Sequence, residues 1–148
     1  MNTGNPLSTR SANATFTIVI GSGLPIPGVT DELRNAVVVK GRNVAEPFDQ
    51  SIPVPLAMWK PLGKERVRLN LGGSPTTNIA GERAAILICY EQLLPWSYVT
   101  AFGNRPTILV GVANALWTKH TVTPKYQIAS LQAWGRVFGT PVISATNY

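Results

Sequence analysis

The sequence has 148 residues but only one cysteine and one histidine. A lone cysteine, Cys89, excludes an internal disulfide. One Cys and one His far apart in the sequence argue against a metal site, and we expect no cofactor. No apolar run reaches about 18 residues, and the N-terminus has no signal-peptide core, so the chain reads as soluble and its compartment stays open.

Acidic residues are also scarce, with 7 Asp and Glu against 13 Lys and Arg, for a net charge of +6. The basic residues are scattered, apart from a small cluster at Lys64, Arg66 and Arg68 that Glu65 interrupts. The sequence contains no zinc-finger spacing and no RNA-binding motif. We therefore expect no specific nucleic-acid partner.

What is present indicates one α/β domain. Residues 1–14 are expected to be irregular and residues 15–148 to form the domain. β-Branched and apolar runs predict strands at 15–20, 35–40, 83–90, 106–114 and 141–147. Near-continuous apolar strands that alternate with helices are typical of a sheet covered on its faces.

A helix is predicted after Thr123, with Thr123 as N-cap, Pro124 at the first helical position and Gly139 after the last turn. Its buried face is expected to carry the apolar residues Tyr126, Ile128, Ala129, Leu131, Ala133, Trp134 and Val137.

Prolines limit the secondary structure of two further segments. Residues 47–61 contain four and are expected to form an ordered loop. Pro95 is expected to restrict a helix after Cys89 to its first turn, or to kink it.

Cys89 follows the apolar run "AAILI" and precedes Tyr90 and Glu91. At a junction between a strand and a helix, the first amides of the helix favour a thiolate, the nucleophilic form of cysteine. The same amides can donate to an oxyanion during acyl transfer. The alternative is that Cys89 is a small buried hydrophobe without chemistry.

The order of "ILICYE", "ILVGVANALW" and "YQIASLQAWGRVFGTPVISATN" resembles the second half of the nitrilase (carbon-nitrogen hydrolase) superfamily. The resemblance is strongest to the branch that contains apolipoprotein N-acyltransferases and the plasmid conjugal-transfer proteins of the TraB type. It covers residues 15–148, with its sharpest part at 84–114. It implies an α-β-β-α sandwich that lacks its N-terminal part here.

The resemblance also implies a Glu-Lys-Cys triad, with Cys89 as nucleophile and Glu91 as a positioning residue beside it. The lysine position falls on Gln50, which carries no charge. Lys60 is a second candidate for that role, against the interpretation that it is a solvated loop lysine. The family's general base has no counterpart, because residues 1–16 contain no Asp or Glu.

The resemblance suggests that Trp59, Trp117 and Asn114 contact substrate, whereas His120 is interpreted as a surface or loop residue. The expected substrate is an acyl or amide compound, either a small molecule or a lipid. Contact with a membrane would come only through other segments of a longer, periplasm-facing parent. The sequence leaves a homo-oligomer open.

The resemblance therefore implies a conjugal-transfer protein with a carbon-nitrogen hydrolase-like domain. Its thiol chemistry at Cys89 is expected to be impaired by Gln50 and the missing base. Two alternatives stay open: a non-catalytic binding or assembly component of plasmid transfer at the cell envelope, and a ligand-binding α/β domain with an inert cysteine.

Overall fold

The computed structural model describes residues 17–30, 32–40, 46–60, 66–116, 118 and 120–147, so the N-terminal segment predicted to be irregular lies outside it. In chain order the elements are β1 (Ile18–Pro25), β2 (Glu32–Lys40), β3 (Phe48–Asp49), β4 (Arg66–Val67), β5 (Thr76–Ile79), β6 (Glu82–Ile88), a 3-10 helix (Cys89–Leu93), α1 (Pro95–Gly103), β7 (Ile108–Asn114), α2 (Thr123–Val137) and β8 (Val142–Asn147). None of the helices in these ranges has the length and hydropathy needed to cross a membrane.

The strands form two sheets. In the first, β1, β2 and β3 are antiparallel neighbours and β4 runs parallel to β2. In the second, the order is β5-β6-β7-β8, and β6, β7 and β8 are parallel. Because Ile88 pairs with Val112 and Asn114 pairs with Asn147, the carboxyl ends of the three parallel strands meet at one edge.

The two faces of β6 explain its unbroken apolar run. Alternate side chains of a strand point to opposite faces. One face of β6 packs on the first sheet, in a core of Val37, Val39, Phe48, Ala84, Ile86, Ile88 and Val110. The other face packs on the helices, in a core of Ala85, Leu87, Tyr98, Ala101, Leu109 and Leu131. The α/β prediction is confirmed, and the described residues form the layers sheet, sheet and helix.

The N-terminal strand is longer than predicted. The sequence indicates a strand that ends before Gly21, but β1 continues to Pro25 and pairs along its whole length with β2. The glycine allows a close approach between the sheets, because a Cβ built on Gly21 would lie 3.2 Å from Cγ1 of Val112. A glycine that reads as a loop signal in the sequence is therefore a packing residue.

Pro95 does not shorten a helix, as the sequence suggests; it starts one. The 3-10 helix ends at Leu93, and Pro95 takes the first position of α1. Proline is well tolerated there, since the first amides of a helix have no intrahelical partner. The prediction of an ordered loop from Pro47 is confirmed as far as Lys60, with only the two-residue strand β3 inside it.

The α2 helix lies where the sequence predicts it, and Gly139 ends it with φ of 61°. The N-cap of α2 and the set of residues on its buried face differ from the prediction. Val122 precedes the first turn and no side chain caps it, so Thr123 is not the N-cap. The buried positions are Pro124, Gln127, Leu131 and Gly135, while Tyr126, Ala129, Ala133 and Val137 are exposed. Counting apolar residues alone misplaces this face, because two of its members are Gln and Gly.

Candidate active site

Cys89 lies directly after β6 and begins the 3-10 helix, so the strand ends at Ile88, two residues before the predicted end, and Cys89 stands at a junction between a strand and a helix. Its φ of 51° is in the left-handed region, which residues other than glycine rarely adopt. Such strained conformations cluster at functional sites. This turn places Cys89 in the wall of a cleft of about 530 Å³.

The cleft lies between β1 and the carboxyl ends of the parallel strands. The first sheet contributes residues 19–23 of β1 and Asn35, and the proline-rich loop contributes Met58. The opposite wall contains Asn114, Thr146 and Asn147. Among the described lining residues none carries a fixed charge, and no group of three or more His, Cys, Asp and Glu side chains in the described ranges could hold a metal ion.

Three hydrogen-bond donors surround the sulfur of Cys89. The side-chain amide of Gln127 lies 3.8 Å from Sγ, and the backbone amides of Tyr90 and Asn114 also point to it. Burial nevertheless raises the pKa of the Cys89 thiol, and the charge of Glu91 acts in the same direction. The amide of Tyr90 lowers the pKa, as expected of the first amides of a helix, but desolvation outweighs the three donors, so the pKa of the thiol is raised overall.

Glu91 is a buried carboxylate, with 3% of its surface exposed, and it joins two segments of the chain by hydrogen bonds; we call it the Glu91 clamp. Its Oε1 accepts hydrogen bonds from the amides of Ser51 (2.7 Å) and Ile52 (2.9 Å). Its Oε2 accepts one from the amide of Ile88 (2.8 Å). Burial raises the pKa of Glu91 against the effect of these three amides. The carboxylate ties the turn at Cys89 to the proline-rich loop, and it lines a second cavity of about 320 Å³ rather than the cleft.

Gln50 contacts the backbone of Ile88, the residue that precedes Cys89. It is 1% exposed and is not among the residues that line the cleft. Its Nε2 donates to the carbonyl of Ile88 (2.9 Å), and its Oε1 accepts from Nδ2 of Asn35 (2.9 Å). A neutral amide with two partners thus occupies the position that the family resemblance gives to lysine.

The other candidate residues divide between the cleft and its surroundings. Asn114 lines the cleft, and its Oδ1 accepts a hydrogen bond from the amide of Leu116 (3.1 Å). Trp59 is half-buried and is not among the residues that line the cleft, whereas its neighbour Met58 is. Lys60 is exposed and also outside the lining.

Trp117 lies outside the described residues. His120 is exposed, which agrees with its interpretation as a surface or loop residue.

Sequence reasoning missed two buried glutamines, Gln92 and Gln127. Nε2 of Gln92 donates to the carbonyls of Leu87 (3.2 Å) and Val112 (3.1 Å), and so joins β6 to β7 beside the turn. The signal for Gln127 was its place four residues before Leu131, on the same face of a helix. Buried polar groups need partners, and these two find theirs at the end of β6.

No family model matches the sequence. The chain is 31% identical over 139 residues to conjugal transfer protein TraB of Agrobacterium fabrum, covering 90% of this chain and 32% of that protein. It is 31% identical over 105 residues to probable conjugal transfer protein TraB of Sinorhizobium fredii, covering 68% of this chain and 27% of that protein. The chain thus spans about a third of the length of the curated relatives it matches.

Solved structures show the same fold. A mutant of the Nesterenkonia AN1 amidase, from the nitrilase superfamily, superposes with a TM-score of 0.63 at 14% identity, over 88% of this chain and 46% of the amidase. A second mutant of that amidase gives the same values, and it carries the acetamide moiety of fluoroacetamide covalently added at its active-site cysteine. By sequence the chain is similar to TraB conjugal transfer proteins over about a third of their length, and its fold is similar to that of an amidase from the nitrilase superfamily.

Proposed function

We propose that this chain is the carbon-nitrogen hydrolase-like part of a TraB-type conjugal transfer protein, and that Cys89 is its thiol nucleophile for acyl or amide compounds. The observation that carries the proposal is the left-handed turn that places Cys89 in the cleft, at the carboxyl edge of three parallel strands. The covalent adduct at the active-site cysteine of the Nesterenkonia amidase supports the same chemistry.

The reaction begins when the thiolate attacks the carbonyl carbon of the substrate. A C–S bond forms, the carbonyl oxygen becomes an oxyanion, and the bond from carbon to the leaving group then breaks. The thiol proton passes to water, because no basic side chain lines the described part of the cleft. The leaving nitrogen or oxygen takes up a proton, and water releases the acyl group from sulfur.

The amides of Tyr90 and Asn114 donate to the sulfur of Cys89, and we propose that they also donate to the oxyanion that forms beside it. Neither Gln50 nor any described lining residue supplies a positive charge, and burial raises the pKa of the thiol. We therefore expect acylation by activated esters, and slow or no turnover of amides.

Intact-mass spectrometry after incubation with p-nitrophenyl acetate tests this proposal. We expect one acetyl group per chain on Cys89, released p-nitrophenolate, and no adduct on a Cys89→Ala variant. The absence of acetylation in the folded chain would contradict the proposal.

The second candidate is a non-catalytic binding or assembly role in conjugal transfer. The uncharged lining of the cleft and the neutral Gln50 favour it. Conjugation frequency of donor cells that carry the Cys89→Ala change separates the two candidates. An unchanged frequency favours binding or assembly, and a frequency reduced to that of the deletion favours chemistry.

A further inference from the structure

Gln127 is a buried side chain whose amide contacts the sulfur of Cys89. It lies in the second turn of α2, is 3% exposed, and directs Nε2 to Sγ at 3.8 Å. Burying an amide is costly unless it is hydrogen-bonded. A neutral thiol is a weak acceptor, whereas an anionic acceptor roughly doubles the strength of a hydrogen bond. The hydrogen bond from Gln127 is therefore stronger when the sulfur is a thiolate than when it is a thiol.

The helix holds this amide in a fixed position. Leu131, one turn further along the same face, is fully buried under the second sheet. Gly135, a further turn along, lies so close to β8 that a Cβ built on it would overlap Cγ2 of Val142. The face that packs on the sheet therefore carries one long polar side chain, and this side chain ends at Cys89.

We propose that Gln127 is a positioning residue for Cys89, which holds the sulfur at the wall of the cleft and favours its anionic form by donating an N–H···S hydrogen bond. This inference rests on the proposed nucleophilic role of Cys89. Among the described residues, Glu91 is the ionisable group whose charge acts on this sulfur, and it opposes the effect. Gln127 is the side chain that counteracts desolvation, together with the amides of Tyr90 and Asn114.

The test is the pH profile for alkylation of Cys89 by iodoacetamide in the folded 148-residue chain. The chain has one cysteine, so each adduct reports on this site. The variant Gln127→Leu keeps the volume and removes the donor. Gln132→Leu is the matched control, because Gln132 lies on the exposed face of the same helix. Gln127→Met, with an unbranched side chain, is a second variant in case branching disturbs the packing.

We expect Gln127→Leu and Gln127→Met to move the alkylation midpoint to higher pH and to slow alkylation about tenfold at pH 8, with Gln132→Leu unchanged. Profiles of both Gln127 variants that superpose on the wild type overturn the inference. It is also overturned if the folded wild type resists alkylation at every pH. If Cys89 is alkylated with the expected shifts but p-nitrophenyl acetate leaves no acetyl group, the proposed acyl chemistry fails, whereas the effect of Gln127 on the ionisation of the sulfur is still demonstrated.

Discussion

The side-chain amide of Gln50 donates a 2.9 Å hydrogen bond to the carbonyl of Ile88, the residue that precedes Cys89. The carboxylate of Glu91 accepts a hydrogen bond from the amide of the same residue. Ile88 is thus held through both of its backbone polar groups by buried side chains. This double attachment fixes the turn that presents the sulfur.

Replacing Gln50 with lysine tests whether a positive charge at this position makes the Cys89 thiol more reactive. Gln50→Lys introduces an ammonium next to Ile88, the residue before Cys89, so we expect faster alkylation of Cys89 at neutral pH because a nearby cation favours the thiolate. The buried cation lowers the free energy of unfolding by roughly 2–5 kcal/mol. Gln50→Leu, which removes the hydrogen bonds without adding charge, is the control. Equal alkylation profiles for the two variants would show that this position does not act on the thiol.

Glu91→Gln tests the clamp. A glutamine has one acceptor oxygen where the carboxylate accepts three backbone hydrogen bonds, and its NH₂ group faces amide donors. We expect the free energy of unfolding in urea to fall by about 2–4 kcal/mol. Glu46→Gln changes an exposed glutamate and should stay within about 0.5 kcal/mol of the wild type. A similar small loss for Glu91→Gln would refute the clamp.

Tyr98→Phe gives a pH-dependent prediction. The Tyr98 hydroxyl is buried and donates to the carbonyl of Gln92 (2.8 Å), so its removal costs about 1–2 kcal/mol near pH 8. Burial raises the pKa of Tyr98 to about 12, from its ordinary value of 10.0. The folded state therefore keeps the Tyr98 proton to a higher pH than the unfolded state does. The stabilisation that the Tyr98 hydroxyl provides falls as the pH rises from 10 to 12.

Urea unfolding at pH 8 and pH 11 measures this effect. The stability advantage of the wild type over Tyr98→Phe should shrink by roughly 1 kcal/mol at the higher pH. An advantage that grows with pH would contradict the assignment.

Two helical glycines form a matched pair. Gly135→Ala places a methyl group against Val142 and the carbonyl of Thr140, so we expect a loss of about 1–3 kcal/mol in urea unfolding, despite the better helix propensity of alanine. Gly103→Ala, at the end of α1, meets nothing within 4 Å and should be neutral or stabilising by up to about 1 kcal/mol. Equal changes in the free energy of unfolding for the two variants would contradict close packing of α2 on β8 at Gly135.

Local patterns predicted the parallel strands, the α2 helix and the place of Cys89, because apolar runs and end signals lie within the segments themselves. They could not predict that β1 extends through Gly21, since that depends on pairing with β2. Nor could they assign Gln92 and Gln127, whose partners lie on other strands and turns. The family resemblance located Gln50 and Glu91, but their hydrogen bonds arise only when the proline-rich loop packs behind the turn at Cys89.

The central claim is that the sulfur of Cys89 is accessible from the cleft in the folded protein. The rate of iodoacetamide addition, measured across urea concentrations below the unfolding transition, tests it most directly. We predict one adduct at a rate that does not change with urea in this range, because the folded state itself reacts. A rate that rises with urea in step with the unfolded population would show that the thiol reacts only after unfolding, and would contradict the account.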